Sequence, residues 1–144
     1  NMKQENILVE FLLELKSKLI HLNLKVIFES DFQPEELKRF MSRLDHNSFG
    51  INYDTGNSAS FDYDVNNEFK KYGEYIKNIH IKDRVYNGKT IRLGKGNADF
   101  KKIFKNIYKI KYNNLLILQT ARSLKKNDDV NEIKINLNFI KNII

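Results

Sequence analysis

Four short apolar runs, separated from one another by amphipathic helices, predict an α/β fold with parallel strands joined by helical crossovers. Each run ends, at its last inward-facing position, in a side chain with a donor oxygen or nitrogen: Glu29, Asp54, His80 and Gln119. No Ser/Gly-rich linker or low-complexity tract divides the 144 residues, so a single domain is expected.

Taken in order, the first helix is expected over 6–22, where Ile7, Phe11, Leu15, Leu19 and Leu22 recur at three- and four-residue steps. The first strand is 24–29. Pro34, a favoured first-turn residue, opens a helix whose buried stripe is Leu37, Phe40, Met41 and Leu44. The second strand is 49–54, followed by TGNSASFD, which reads as a loop. A helix over 65–75 is anchored by Phe69 and Tyr72. The third strand, 78–82, alternates Asn78, His80 and Lys82 with Ile79 and Ile81, a period of two. The segment 83–97 carries Gly88, Gly94 and Gly96 and reads as loop. Asp99 precedes a helix over 100–110 with Ile103, Phe104 and Ile107 inward. The fourth strand is 115–119, and 131–143 is a closing helix.

Parallel strands with crossovers fit either an open doubly wound sheet or part of a barrel. Strands covered on both faces are continuously apolar. Here Ile27 and Glu29, Asn52 and Asp54, and Asn78, His80 and Lys82 share a face that turns polar toward the strand C-termini. Burying such a face is costly unless it meets a ligand, a metal or water, and the C-terminal mouth of a barrel is built that way. No GxGxxG follows the first strand, and LGKG at 93–96 reads as a loop turn rather than a phosphate cradle.

Composition excludes several classes. There is no cysteine, which removes disulfides and thiolate metal sites. No apolar run reaches the roughly 18 residues of a membrane helix, and no signal peptide opens the chain, so no membrane partner and a cytoplasmic location are expected. The net charge of +7 comes from 25 Lys and Arg against 18 Asp and Glu. Asn and Ile are also abundant, so a composition-wide bias accounts for the excess as well as a polyanion does, and nucleic acid is not the expected partner. Asp54 alone reads equally as a helix cap, and His80 alone as a partly buried histidine. Jointly, four strand ends with metal- or sugar-competent side chains point to a site. His21 and His46 precede their strands, at the opposite end, and are excluded.

In this order and spacing, FESD, GINYDTGN, IHIKDR, LGKGNADF and LILQTAR resemble the second half of the xylose-isomerase-like TIM barrels, and most closely the sugar phosphate isomerases and epimerases, the group of tagatose 3-epimerase and the hexulose-phosphate epimerases. A full barrel takes about 250 residues. The resemblance therefore implies an α/β half-barrel over residues 1–144, with 1–23 as the leading crossover helix and 24–144 as four strand–helix units, the C-terminal half of a (β/α)8 barrel. It further implies a metal-dependent isomerase or epimerase acting on a sugar or sugar phosphate through an enediolate.

In that family a divalent metal is held by Glu, Asp, His and Glu at four consecutive strand ends. The matching positions are Glu29, Asp54, His80 and Gln119; the first three agree and the fourth departs. Mn, Mg, Co and Zn all suit such ligands. The family's two glutamates also move the protons, so the resemblance makes Glu29 the catalytic base and Gln119 a weak ligand or substrate hydrogen bond, because a neutral amide is no general base. Asn57 stands where several epimerases carry a substrate-binding His. Lys82, Arg84 and Arg122, at or beyond the mouth, are expected to meet a phosphate or carboxylate. The missing units imply either self-association, as a homo-oligomer, or pairing with an N-terminal half-barrel. A non-catalytic barrel fragment with a sugar- or metal-binding remnant is the alternative. An abasic-site endonuclease ranks lower, since Asn57, Gly88 and Thr90 stand where that enzyme has zinc ligands.

Overall fold

The computed structural model describes residues 2–144. The elements are α1 (Met2–His21), β1 (Val26–Phe28), α2 (Pro34–Met41), β2 (Phe49–Asp54), α3 (Thr55–Ser60), α4 (Val65–Tyr72), β3 (Ile76–Ile81), β4 (Asp83–Arg84), β5 (Thr90–Ile91), α5 (Phe100–Lys109), β6 (Leu116–Leu118) and α6 (Asp129–Lys141), with one 3-10 turn at Gly73–Tyr75. Strands β1, β2, β3 and β6 form one parallel sheet in that order. Each strand is added beside its predecessor and always on the same side. A doubly wound sheet reverses order at a switch point; this one does not, and it is a part of a TIM barrel wall.

The helix-facing side of the sheet holds the core. Phe49, Ile51 and Tyr53 of β2 and Ile79 and Ile81 of β3 are buried against Phe40 and Met41, Phe69 and Tyr72, and Ile103 and Ile107. Phe28 stacks on Phe49 at 6.1 Å and meets the edge of Phe40 at 5.5 Å. Each such side chain contributes about 1.5–3 kcal/mol on burial, so this layer fixes which face of every strand is left for the barrel interior.

The register of β2 on β3 contains an irregularity. Ile51 pairs with Ile76, yet Asn52 pairs with Asn78 and Asp54 with His80, so Lys77 is an extra residue in β3. Because side chains alternate, this one insertion decides that Asn78 and His80 face the interior with Asn52 and Asp54. Gly50 makes room for it, since a Cβ there would stand 2.3 Å from Lys77 Cγ.

The fold departs from the sequence expectation in three places. TGNSASFD is not all loop: residues 55–60 form α3, because Asp54 caps it, one carboxylate oxygen accepting from the backbone N–H of Gly56 and Asn57 at 2.8 Å each. The 83–97 segment is mostly turn but holds the antiparallel pair β4–β5. In α1 the buried residues are Val9 and Leu12, whereas Ile7, Phe11 and Leu22 are exposed. That helix is apolar around most of its circumference, and the periodicity did not say which side meets the sheet. Among the described residues no helix is long and apolar enough to cross a membrane.

Two buried carboxylates hold the segments around the site. Asp83 is fully buried and accepts from the N–H groups of Gly94 and Gly96, both at 2.9 Å, and Ala98 at 3.0 Å, which fixes the turn after β5. Glu68 of α4 accepts hydroxyls from Ser58 at 2.5 Å, Tyr53 at 3.0 Å and Tyr72 at 2.6 Å, tying α3 to the core. No cation pairs with it among the described residues, and burial raises its pKa above the ordinary 4.5 despite the three donors. The folded state then keeps the Glu68 proton longer than the unfolded chain does, so its stability contribution falls as pH rises from about 4.5 through the higher folded pKa. Urea unfolding of the wild type and Glu68→Gln should show the difference in stability shifting in favour of the variant across that range. A pH-independent difference would contradict the assignment.

Candidate functional site

The interior ends of β1, β2 and β3 bring three of the expected ligands together. Glu29 lies one residue past β1, Asp54 ends β2, and His80 pairs with it in β3. One ligand atom from each lies within 4.8 Å of the other two. His80 Nδ1 is 3.3 Å from a Glu29 oxygen and 4.0 Å from Asp54 Oδ2. The Asp54 side chain is almost fully buried, that of His80 is 19% exposed and that of Glu29 is 40% exposed, so the cluster opens from the wall toward the mouth.

Two asparagines orient this cluster. Asn78 Nδ2 donates to Asn52 Oδ1 at 2.8 Å, which turns the Asn52 amide nitrogen toward Glu29 Oε2 at 2.7 Å and His80 Nδ1 at 3.0 Å. With Asn52 as donor, Nδ1 of His80 is an acceptor and its ring proton sits on Nε2. Sequence reading placed both asparagines on the interior face through the period-two pattern but gave them no role; the side-chain relay is what it missed.

Asp54 serves two purposes. Oδ1 caps α3, and Oδ2 faces the cluster, where Lys82 Nζ lies 3.2 Å away. Lys82 is therefore turned to the Asp54 carboxylate, its backbone clamped by reciprocal hydrogen bonds with the Thr55 hydroxyl. The cap and the position beside His80 thus use different oxygens of Asp54. Asn57, brought round by α3, donates to Glu29 Oε1 at 3.1 Å and accepts from Arg84 Nη1 at 2.9 Å. Arg84 is fixed from behind by the Gly88 carbonyl, which accepts from Nε and Nη2.

Gln119 lies one residue past β6, its backbone N–H donated to Ile81 O and its side chain exposed. It continues the wall next to β3 but stands apart from the relay that joins the other three. Arg122 lies elsewhere, in a groove with Lys89 and Arg92 on the rim. His46 packs edge-on to Tyr75, before β3 begins, at the far end from the cluster.

Two carboxylates and one imidazole whose ligand atoms lie within 4.8 Å of one another suit a divalent cation, which would take the place of the Asn52 amide at His80 Nδ1 and of Lys82 at Asp54 Oδ2. Glu29, Asp54 and His80 are the residues able to hold it. Nothing in this set distinguishes Mn, Mg, Co and Zn.

No curated protein matches the chain by sequence. Among solved structures, a xylose isomerase domain protein from Planctomyces limnophilus superposes with a TM-score of 0.66 at 19% identity, covering 83% of this chain and 45% of that one. A D-psicose 3-epimerase from Clostridium cellulolyticum H10, crystallised with D-tagatose, gives 0.60 at 17% identity over 77% and 43%. A 3-keto-D-glucoside 4-epimerase from E. coli gives 0.70 at 12% identity over 96% and 53%. The chain thus spans about half the length of the structures it matches, and at these identities the likeness is one of fold. A family description, xylose isomerase-like TIM barrel, matches residues 8–143. Both the sequence match, over nearly the whole chain, and the unreversed wall of parallel strands lead to one assignment: the chain belongs to the xylose isomerase-like TIM barrel family.

Proposed function

We propose that this chain supplies the metal-binding half of an isomerase or epimerase acting on a sugar or sugar phosphate. The observation that carries the reading is the convergence of Glu29, Asp54 and His80 at one point on the interior face. Solved relatives in fold include sugar epimerases, which agrees with it. Glu29, Asp54 and His80 would hold a divalent cation, which would supply charge stabilisation to the substrate oxygens.

Glu29 is the base in this reading. Its Oε1 faces Asn57 and its Oε2 faces Asn52, and it is the most exposed of the three. It takes a proton from the carbon beside the carbonyl and returns it to the former carbonyl carbon, while the hydroxyl proton passes to the former carbonyl oxygen. Asn57 contacts a substrate hydroxyl, and Arg84, already anchored on Gly88, contacts a further oxygen. Gln119 accepts or donates a hydrogen bond but carries no proton between carbons. One carboxylate base on one face favours aldose–ketose isomerisation, since epimerisation at one carbon generally needs a donor on the opposite face.

The chain also presents open edges on β1 and β6 and exposed apolar residues on both, including Ile27, Leu116 and Ile117. Open parallel edges pair readily, and we propose that they meet either a second copy or four further strand–helix units. Sedimentation should show self-association of the isolated chain at micromolar concentration; a stable, cooperatively unfolding monomer would exclude the second copy.

Mn²⁺ or Co²⁺ should raise the melting temperature, because the folded chain binds the ion and the unfolded chain does not. His80→Ala should remove that rise while leaving the metal-free protein folded, and an unchanged response would place the ion elsewhere. Gln119→Glu, assayed with the barrel completed and a labelled ketose, should raise epimer formation by about a hundred- to ten-thousand-fold, the usual worth of a positioned acid or base. Epimer formation as fast in the unmodified chain defeats the one-base reading, and no turnover from either favours a non-catalytic remnant.

A further inference from the structure

Asp54 has one carboxylate oxygen left for a cation, and a cation already stands on it. Oδ1 is taken by the backbone N–H groups of Gly56 and Asn57, so Oδ2 is the oxygen that faces the cluster, 4.0 Å from His80 Nδ1. Lys82 Nζ lies 3.2 Å from that same Oδ2. The pair is shielded from water, with 17% of the Lys82 side chain and 1% of the Asp54 side chain exposed. Among the described residues the Lys82 ammonium has no other hydrogen-bond acceptor. Arg84, the neighbouring cation, is held by Asn57 and Gly88 and does not share this oxygen.

The placement of Lys82 is built into the fold. Its backbone N–H donates to the Thr55 hydroxyl, and that hydroxyl donates back to its carbonyl. Its stem runs over Gly56, where a Cβ would stand 2.7 Å from Lys82 Cγ and 3.0 Å from Cδ, so glycine keeps this path open. Root and stem are thus fixed. The ammonium, at the end of a flexible four-carbon chain, can leave Asp54 without disturbing the sheet.

We propose that Lys82 is a resident cation that a divalent ion must displace from Asp54, so that loading the site frees an ammonium at the mouth. The inference rests on the metal-binding reading above and adds a residue that competes with the ion. Two carboxylates, Glu29 and Asp54, balance one divalent charge. An ion bound to Oδ2 at about 2.0–2.6 Å and an ammonium kept on the same oxygen would stand at close quarters with one positive charge in surplus. Shielding from water makes that repulsion large. Lys82 therefore holds Asp54 in place before the ion arrives and lowers the apparent metal affinity, because its bond to Asp54 has to be broken. A lysine that stayed on as an outer partner of the ligated carboxylate would act in the opposite sense, and its removal would weaken metal binding.

The test is a calorimetric titration of the full chain with Mn²⁺, wild type against Lys82→Met. Met keeps an unbranched stem over Gly56 and removes the ammonium. The variant should bind Mn²⁺ about tenfold more tightly, the worth of one hydrogen bond to a charged group that no longer has to be broken. A second readout follows the amine in the unmodified chain, so it does not depend on how the variant folds. Brief acetylation with peptide mass spectrometry should modify Lys82 several-fold faster in the Mn²⁺-loaded protein than in the metal-free one, while the exposed Lys101 of α5 reacts at the same rate in both. Melting curves check that Lys82→Met folds. Equal or weaker Mn²⁺ affinity in Lys82→Met overturns the inference, as does a Lys82 whose acetylation ignores Mn²⁺; either result makes Lys82 a standing support of Asp54. The metal-binding reading fails by a different result, no Mn²⁺ uptake by wild type and Lys82→Met alike, and the exchange falls with it.

Discussion

The pairing of β2 with β3 is the constraint on which the site depends. Two neighbouring strands must present Asn52 beside Asn78 and Asp54 beside His80, and the extra residue at Lys77 is what brings them into step. Every other part of the cluster is downstream of that alignment. The Asn78–Asn52 relay aims an amide at both Glu29 and His80. Asp54, at the end of the same strand, starts α3, and α3 brings Asn57 back to Glu29. A site assembled from three strand ends is in this sense the product of one register.

The core and the site use opposite faces of the same strands, and the chemistry of each face is separate. On the helix side, Phe49, Tyr53 and Ile79 are buried among aromatic and aliphatic neighbours, and the buried Glu68 is satisfied by three hydroxyls. On the interior side the polar groups satisfy one another. Asp83 extends this economy to the rim: a single carboxylate takes three backbone N–H groups, and Gly96 stands where a Cβ would lie 2.2 Å from its oxygen. Asn97, next along, donates its N–H to the Arg84 carbonyl, so this turn also holds the arginine strand in place.

Much of this was legible in the sequence. Period-two alternation located β2 and β3 and the face that carries Asn52, Asp54, Asn78 and His80, because a half-polar strand reveals its faces. The convergence of Glu29, Asp54 and His80 followed from the strand ends and the family resemblance together. What was not legible was long-range or compensatory. An inserted residue within a strand looks like any other residue until its partner strand is known, so Lys77 gave no warning. The stripe of α1 differs from the expected one because a helix with apolar residues around most of its circumference gives no single preferred side. The helical turn at 55–60 was hidden by residues common in loops, Thr, Gly, Asn and Ser, whose helical state here depends on the Asp54 cap. Arg122 and Lys82 look alike in sequence as cations near the mouth, and only the fold separates the one bound to Asp54 from the one lining a groove.

The unreversed strand order has a kinetic consequence. Each strand docks on the one before it, so the sheet extends by one strand–helix unit at a time, each step bringing together residues such as Val26 and Phe49 or Ile79 and Leu116 across a whole crossover. A chain emerging amino-terminus first can therefore build its wall vectorially, the exposed edge of each finished unit serving as the template for the next. The same directionality leaves β6 as an edge still competent for addition when the last unit is in place. A partner edge of the kind proposed above would end such growth in a bimolecular or interdomain step, whose rate would depend on how that edge is delivered.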